Sequence, residues 1–87
     1  MRYRVELPRA PQRQLDKLVG RDYEAIGDAI SSLEHNPRPR GVKKLAESGL
    51  WRLRVGCFRI VYGIDDKVRL VTIARIASRS EDTYRGL

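Results

Sequence analysis

One stretch constrains this chain more than any other: Trp51-Arg52-Leu53-Arg54-Val55-Gly56-Cys57-Phe58-Arg59-Ile60-Val61-Tyr62. On both sides of Gly56-Cys57, apolar and basic side chains alternate, the period of a strand with one face covered. A two-residue connection demands a tight hairpin, and glycine at its first position suits a type II′ turn. That turn leaves one register. Val55 faces Phe58, Arg54 faces Arg59, Leu53 faces Ile60, Arg52 faces Val61 and Trp51 faces Tyr62. The apolar pairs share one face of the sheet, while Arg52, Arg54 and Arg59 share the other.

Two arginines directly opposite each other repel, costing a few tenths of a kcal/mol to roughly 1 kcal/mol. One reading is a solvated edge whose long stems cover apolar surface. The other is an anion site, in which a phosphate relieves the repulsion and is gripped by the planar guanidinium fork. The distribution of charge favours the second. The chain is 87 residues long with a net charge of +7. Residues 1–37 carry six basic and six acidic side chains, and residues 60–87 carry five and four. Residues 38–59 hold Arg38, Arg40, Lys43, Lys44 and the three hairpin arginines against Glu47 alone, net +6. A solvated face mixes signs; this stretch reads as an electrostatic footprint for a polyanion. If that polyanion is a nucleic acid, Lys43, Lys44, Arg38 and Arg40 are expected to contact its backbone without sequence choice.

The flanking pattern places the hairpin in a fold. Tyr3, Val5 and Leu7 alternate with Arg2, Arg4 and Glu6, a half-buried first strand that Pro8 ends. A helix follows, reaching about Val19 with Leu15, Leu18 and Val19 as its stripe, and Gly20 stops it. Asp22 is suited to cap a second helix, with Tyr23, Ile26, Ile30 and Leu33 inward and Asn36-Pro37 at its end. Arg38-Pro39-Arg40-Gly41 is a loop, and Lys43-Lys44 belongs to a short turn. Val68 to Ile76 is apolar at most positions, as a strand covered on both faces should be, and Asp65-Asp66 turns the chain into it. The expected fold is α+β, in the order β-α-α-β-β-β. Two N-terminal helices pack on one face of a four-stranded, largely antiparallel sheet, and residues 1–87 form a single domain.

Other functions are disfavoured. Cys57 is the only cysteine, so no internal disulfide or cysteine-based zinc cluster can form, and a reducing, cytoplasmic setting is expected. No run of 18 apolar residues is present to span a membrane, and Met1 to Glu6 lacks the apolar core of a signal peptide. His35, the single histidine, sits at a helix end that suits it for dipole reasons alone. The parity of Trp51 and Phe58 sends them to the core rather than to bases. Cys57 reads as an exposed turn residue, and Asp65-Asp66 has no metal-binding partners around it.

The run Asn36-Pro37-Arg38-Pro39-Arg40-Gly41-Val42-Lys43-Lys44-Leu45, continued by Leu50 to Tyr62, closely resembles the RelE family of bacterial toxins. So do the ending Ile76-Ala77-Ser78-Arg79 with Tyr84-Arg85 and the opening Tyr3-Arg4-Val5. The related ParE gyrase toxins share the framework. The resemblance implies a type II toxin–antitoxin toxin, neutralised by a cognate antitoxin, that enters the ribosomal A site and cuts mRNA. The ribose 2′-OH attacks the adjacent phosphate, with no metal or organic cofactor. Operator DNA is met only through the antitoxin complex. Carried over by position, Arg52 and Arg54 match basic positions before the turn, and Arg59 matches the contact to the scissile phosphate. Arg79 matches a transition-state-stabilising position, and Tyr84 a tyrosine that stacks on a base or moves a proton. Ser78 stands where many members carry histidine, and arginines stand at 52 and 54 where some carry lysine. Two alternatives stay open: a ParE-like gyrase inhibitor, and a catalytically degenerate antitoxin-binding module.

Overall fold

A computed structural model describes residues 2–78, in the order β1 (Arg4–Glu6), α1 (Arg9–Asp16), α2 (Gly20–Ser32), β2 (Lys43–Lys44), β3 (Trp51–Val55), β4 (Phe58–Asp65) and β5 (Leu70–Ser78). The hairpin forms as its sequence requires. Gly56 takes φ 58°, Cys57 stays at negative φ, and all five pairs from Val55–Phe58 to Trp51–Tyr62 fall in the expected register. The sheet order is β1-β5-β4-β3-β2. β1 runs parallel to β5, and every other neighbouring pair is antiparallel.

The sheet thus has five strands where four were expected. The addition is β2, whose Lys43 and Lys44 pair with Arg52 and Trp51. Both lysines are exposed and show no apolar alternation. That strand exists because a neighbour offers its backbone, which periodicity cannot register.

The helices also shift from expectation. α1 ends at Asp16, and Val19 is extended and 78% exposed rather than core. Gly20 takes φ 57°, a left-handed turn open to glycine, so α2 begins there instead of at Asp22. Asp22 lies in the first helical turn, where its carboxylate still favours the positive end of the helix. Tyr23 is 45% exposed. The rest of that stripe is right: Ile26, Ile30 and Leu33 are buried against the sheet face formed by Leu53, Ile60, Tyr62, Val71, Ile73 and Ile76. Trp51, Val55 and Phe58 are partly buried against the same cluster. Val68 is exposed, and β5 starts two residues later than its apolar run.

β5 holds the feature that decides what the opposite face carries. Its pairing with β4 slips between Val61 and Tyr62: Val61 faces Arg75, whereas Tyr62 faces Ile73. Ala74 is the extra residue of this β-bulge, and it is exposed. Without the bulge Ile73 and Ile76, three apart, would point to opposite faces. With it both enter the core, and Arg75 turns to the face of Arg52 and Arg59. A second device closes the helix-side edge of β5, where the side-chain oxygen of Gln14 accepts the Ile76 N–H at 2.7 Å.

Tyr62 is fully buried, and its hydroxyl donates to the Pro37 carbonyl at 2.7 Å, tying the loop after α2 to the core. Burial pushes the phenol from 10.0 to about 12, only slightly opposed by the Arg38 charge. The folded state favours the neutral form. Its contribution to stability is complete below pH 10 and is lost as pH rises toward about 12. The urea midpoint should therefore fall across that window, and ultraviolet titration should show a late ionisation that belongs to Tyr62. Tyr62→Phe should remove that late ionisation and cost about 1–3 kcal/mol at neutral pH by orphaning the carbonyl. A Tyr62 phenol titrating near 10 in the folded protein would overturn the assignment.

Candidate nucleic-acid interface

The face away from the helices is built by strand parity. Residues opposite each other in register share a face, so Lys43, Arg52, Val61 and Arg75 form one row across four strands. Arg54, Arg59 and Ala77 form the next row. Along each strand the rows are two residues apart, roughly 7 Å. Val61 and Ala77, 1% and 2% exposed, are the apolar floor between the basic side chains. Arg52, Arg59 and Arg75 are half-buried, and in each the Nε atom is shielded from water. Arg54 and Cys57 are exposed at the hairpin end, where a small hollow is lined by Arg54, Gly56, Cys57, Phe58 and Arg59.

Among the described residues this is a cationic face on which basic side chains outnumber carboxylates. On this face Glu6 stands opposite Thr72 at the β1 edge and lies 3.9 Å from Arg4, while Asp65 is at the far end of β4. Guanidinium groups do not accept protons near neutrality, so these side chains can bind and stabilise negative charge but cannot act as bases. Among the described residues no three His, Cys, Asp or Glu side chains gather where a metal ion would be held.

The basic stretch that looks continuous in sequence is divided by the fold. Lys43 joins the arginine face, but Lys44 shares the opposite face with Trp51, its ammonium 5.7 Å from the ring centre. Arg38 lies over the same ring at 5.0 Å and pairs with both Asp66 oxygens, at 3.2 and 2.8 Å. Tyr3 donates a third hydrogen bond, 2.5 Å long, to that carboxylate. Hydrogen bonds from Arg38, then from Tyr3, hold Asp66 below the usual carboxylate range, and Asp66 in turn raises both partners. Arg38 is therefore engaged in a clasp joining the first strand, the loop after α2 and the β4–β5 turn. Arg40 stays exposed in its loop. Arg79 and Tyr84 lie outside the described residues.

Sequence reasoning passed over Arg75. The signal was present in Ile73-Ala74-Arg75-Ile76: two large aliphatic residues at a spacing of three inside a strand require a bulge if both are core.

A helical layer on one side and a guanidinium-lined sheet on the other define a class of small α+β protein with a cationic face. The class has a family. Residues 5–83 match the profile of the ParE toxin of type II toxin–antitoxin systems, parDE. The chain belongs to the RelE/ParE superfamily of type II toxin–antitoxin toxins. It is 29% identical over 90 residues to a chain of Methanocaldococcus jannaschii that carries the name toxin RelE1, covering 99% of each. It is similar to the archaeal RelE–RelB complex from Pyrococcus horikoshii, with 29% identity, TM-score 0.82 and coverage of 93% of this chain and 99% of that one. It is also similar to the toxin–antitoxin complex RelBE2 from Mycobacterium tuberculosis, with 30% identity, TM-score 0.80 and coverage of 91% and 100%. Among the described residues no helix is long and apolar enough to cross a membrane.

Proposed function

We propose that this toxin is a ribosome-dependent mRNA endonuclease of the RelE type. The observation that carries the reading is the two-row cluster of Lys43, Arg52, Arg54, Arg59 and Arg75 on the sheet face opposite the two helices. In the reaction the 2′-oxygen attacks the adjacent phosphorus and the bond from phosphorus to the 5′-oxygen breaks. The products end in a 2′,3′-cyclic phosphate and a 5′-hydroxyl. The pentacovalent transition state carries more negative charge than the diester, so fixed guanidinium groups stabilise it over the ground state. Arg59 holds the scissile phosphate, while Arg52 and Arg54 neutralise charge beside it. By resemblance Arg79 completes the charge stabilisation and Tyr84 stacks or moves a proton. Lys43 and Arg40 add backbone attraction.

The solved relatives from P. horikoshii and M. tuberculosis are complexes with their antitoxins. On that ground a cognate antitoxin is the protein partner of this chain, with operator DNA met through the complex. The ribosomal A site and its mRNA are the proposed target, in the cytoplasm.

A second reading has its own support, since residues 5–83 match the ParE profile. In that case the chain would bind gyrase and leave RNA intact. Purified toxin added to programmed ribosomes separates the two. Primer-extension stops within the A-site codon, with gyrase supercoiling untouched, are the expected result. Blocked supercoiling without RNA cuts would replace this reading with the gyrase one. Inactivity in both assays would leave the antitoxin-binding module.

A further inference from the structure

Arg75 is not among the positions the family resemblance assigns, and three observations give it a role. First, the bulge at Ala74 lifts it out of the core register and sets it opposite Val61, in the row that contains Arg52 and Lys43. Second, the residue is half-buried, and its Nε is shielded from water with no hydrogen-bond partner among the described residues. A guanidinium has five N–H donors, and leaving one dry and unmet is costly unless a ligand supplies the acceptor. Third, no carboxylate faces it in register. Val61 is opposite, and on the other edge β1 ends at Glu6, which faces Thr72. A purely structural arginine would be given an acid or a carbonyl here.

We propose that Arg75 grips a second RNA phosphate, the one next to the phosphate at Arg59. This rests on the RNA reading of the face given above. Arg59 pairs with Ala77, two residues beyond Arg75, so the two arginines are diagonal neighbours about 7–8 Å apart at the backbone. That separation is comparable with the step between successive phosphates of an extended strand. The bulge is thus the device that widens a one-phosphate site on β3 and β4 into a two-phosphate track reaching β5. A strand held at two phosphates cannot pivot about the scissile one, which fixes the direction of attack.

The test measures binding of the isolated full chain to a short, labelled, single-stranded RNA with 2′-O-methyl riboses, by fluorescence anisotropy across a salt series. For Arg75→Gln the affinity at low salt should fall several-fold. The slope of log affinity against log salt should become shallower by about 0.7, one phosphate contact of a single strand. Arg75→Lys should keep the slope, because the charge remains, and recover only part of the affinity, because the fork is gone. The thermal midpoint of Arg75→Gln should equal or exceed that of the parent, since a dry donor and a like charge are removed. An unchanged slope and affinity in Arg75→Gln would overturn the proposal. So would a midpoint lowered by about 4 °C or more and restored by lysine with RNA binding intact, the mark of a structural arginine. If the parent binds this RNA through Arg75 yet never cuts on the ribosome, the nuclease reading fails and the Arg75 contact stands. If cleavage is intact and Arg75→Gln binds normally, the reverse holds. A parent chain with no affinity for this RNA defeats the Arg75 contact, while the nuclease reading still stands or falls on the ribosome assay.

Discussion

Arg59→Ala is expected to lower the single-turnover rate of A-site cleavage by about 10²–10³-fold, the usual loss when one preorganised donor to a developing oxyanion is removed. Ribosome binding should weaken far less, because Arg52, Arg54, Arg75 and Lys43 still present charge to the strand. The protein should not unfold. Arg59 faces Arg54 in register, and removing one of two opposed like charges relieves up to roughly 1 kcal/mol of repulsion. Loss of rate with the fold retained is the signature of a residue kept for the transition state. Primer extension on programmed ribosomes and thermal melting of the same preparation supply both readings. Full cleavage by the variant would sink the role assigned to Arg59.

The opposite behaviour is expected one residue later. Ile60→Ala should cost about 2–5 kcal/mol, the range for truncating a buried isoleucine. Ile60 is fully buried between Leu53 and Ile76 at the centre of the sheet, beneath the helical layer. A domain of this length is stable by roughly 4–13 kcal/mol, so the loss takes a large share of the total. The midpoint should fall by on the order of 10 °C or more. Whatever protein remains folded should cleave at nearly the parental rate, because Ile60 points away from the arginine face. Chemical denaturation with activity normalised to folded protein tests this, and a loss below about 1 kcal/mol would mean that the site collapses around the gap. Adjacent residues on one strand thus report separately on chemistry and on stability, as period-2 geometry demands.

What could be read from the sequence was what local rules control. The Gly56-Cys57 turn sets the hairpin register through its own geometry, so Arg54 opposite Arg59 was legible before any fold was seen. The stripe Ile26, Ile30, Leu33 declared a buried helical face in the same way, since its spacing matches one turn. Helix ends were less legible. Gly20 could stop one helix or start the next, and its φ of 57° serves a turn so tight that α2 begins on it. The two-residue strand Lys43–Lys44 left no trace in periodicity, because a pair of exposed lysines has no apolar alternation to show.

By itself, then, the sequence determined a basic hairpin, the face its arginines share and the family to which its motifs point. Those depend on contacts between residues close along the chain, where turn type and side-chain period leave one solution. The tertiary structure alone decided which basic residues join that face. Arg38 is drawn away by Asp66, 28 positions on, and Lys44 by the ring of Trp51. Arg75 is brought in because Ile73 and Ile76 must both be buried, which forces the bulge at Ala74. Such choices are made by partners distant in sequence and by competition for one core, which a local pattern such as the spacing of Ile73 and Ile76 can signal but does not decide.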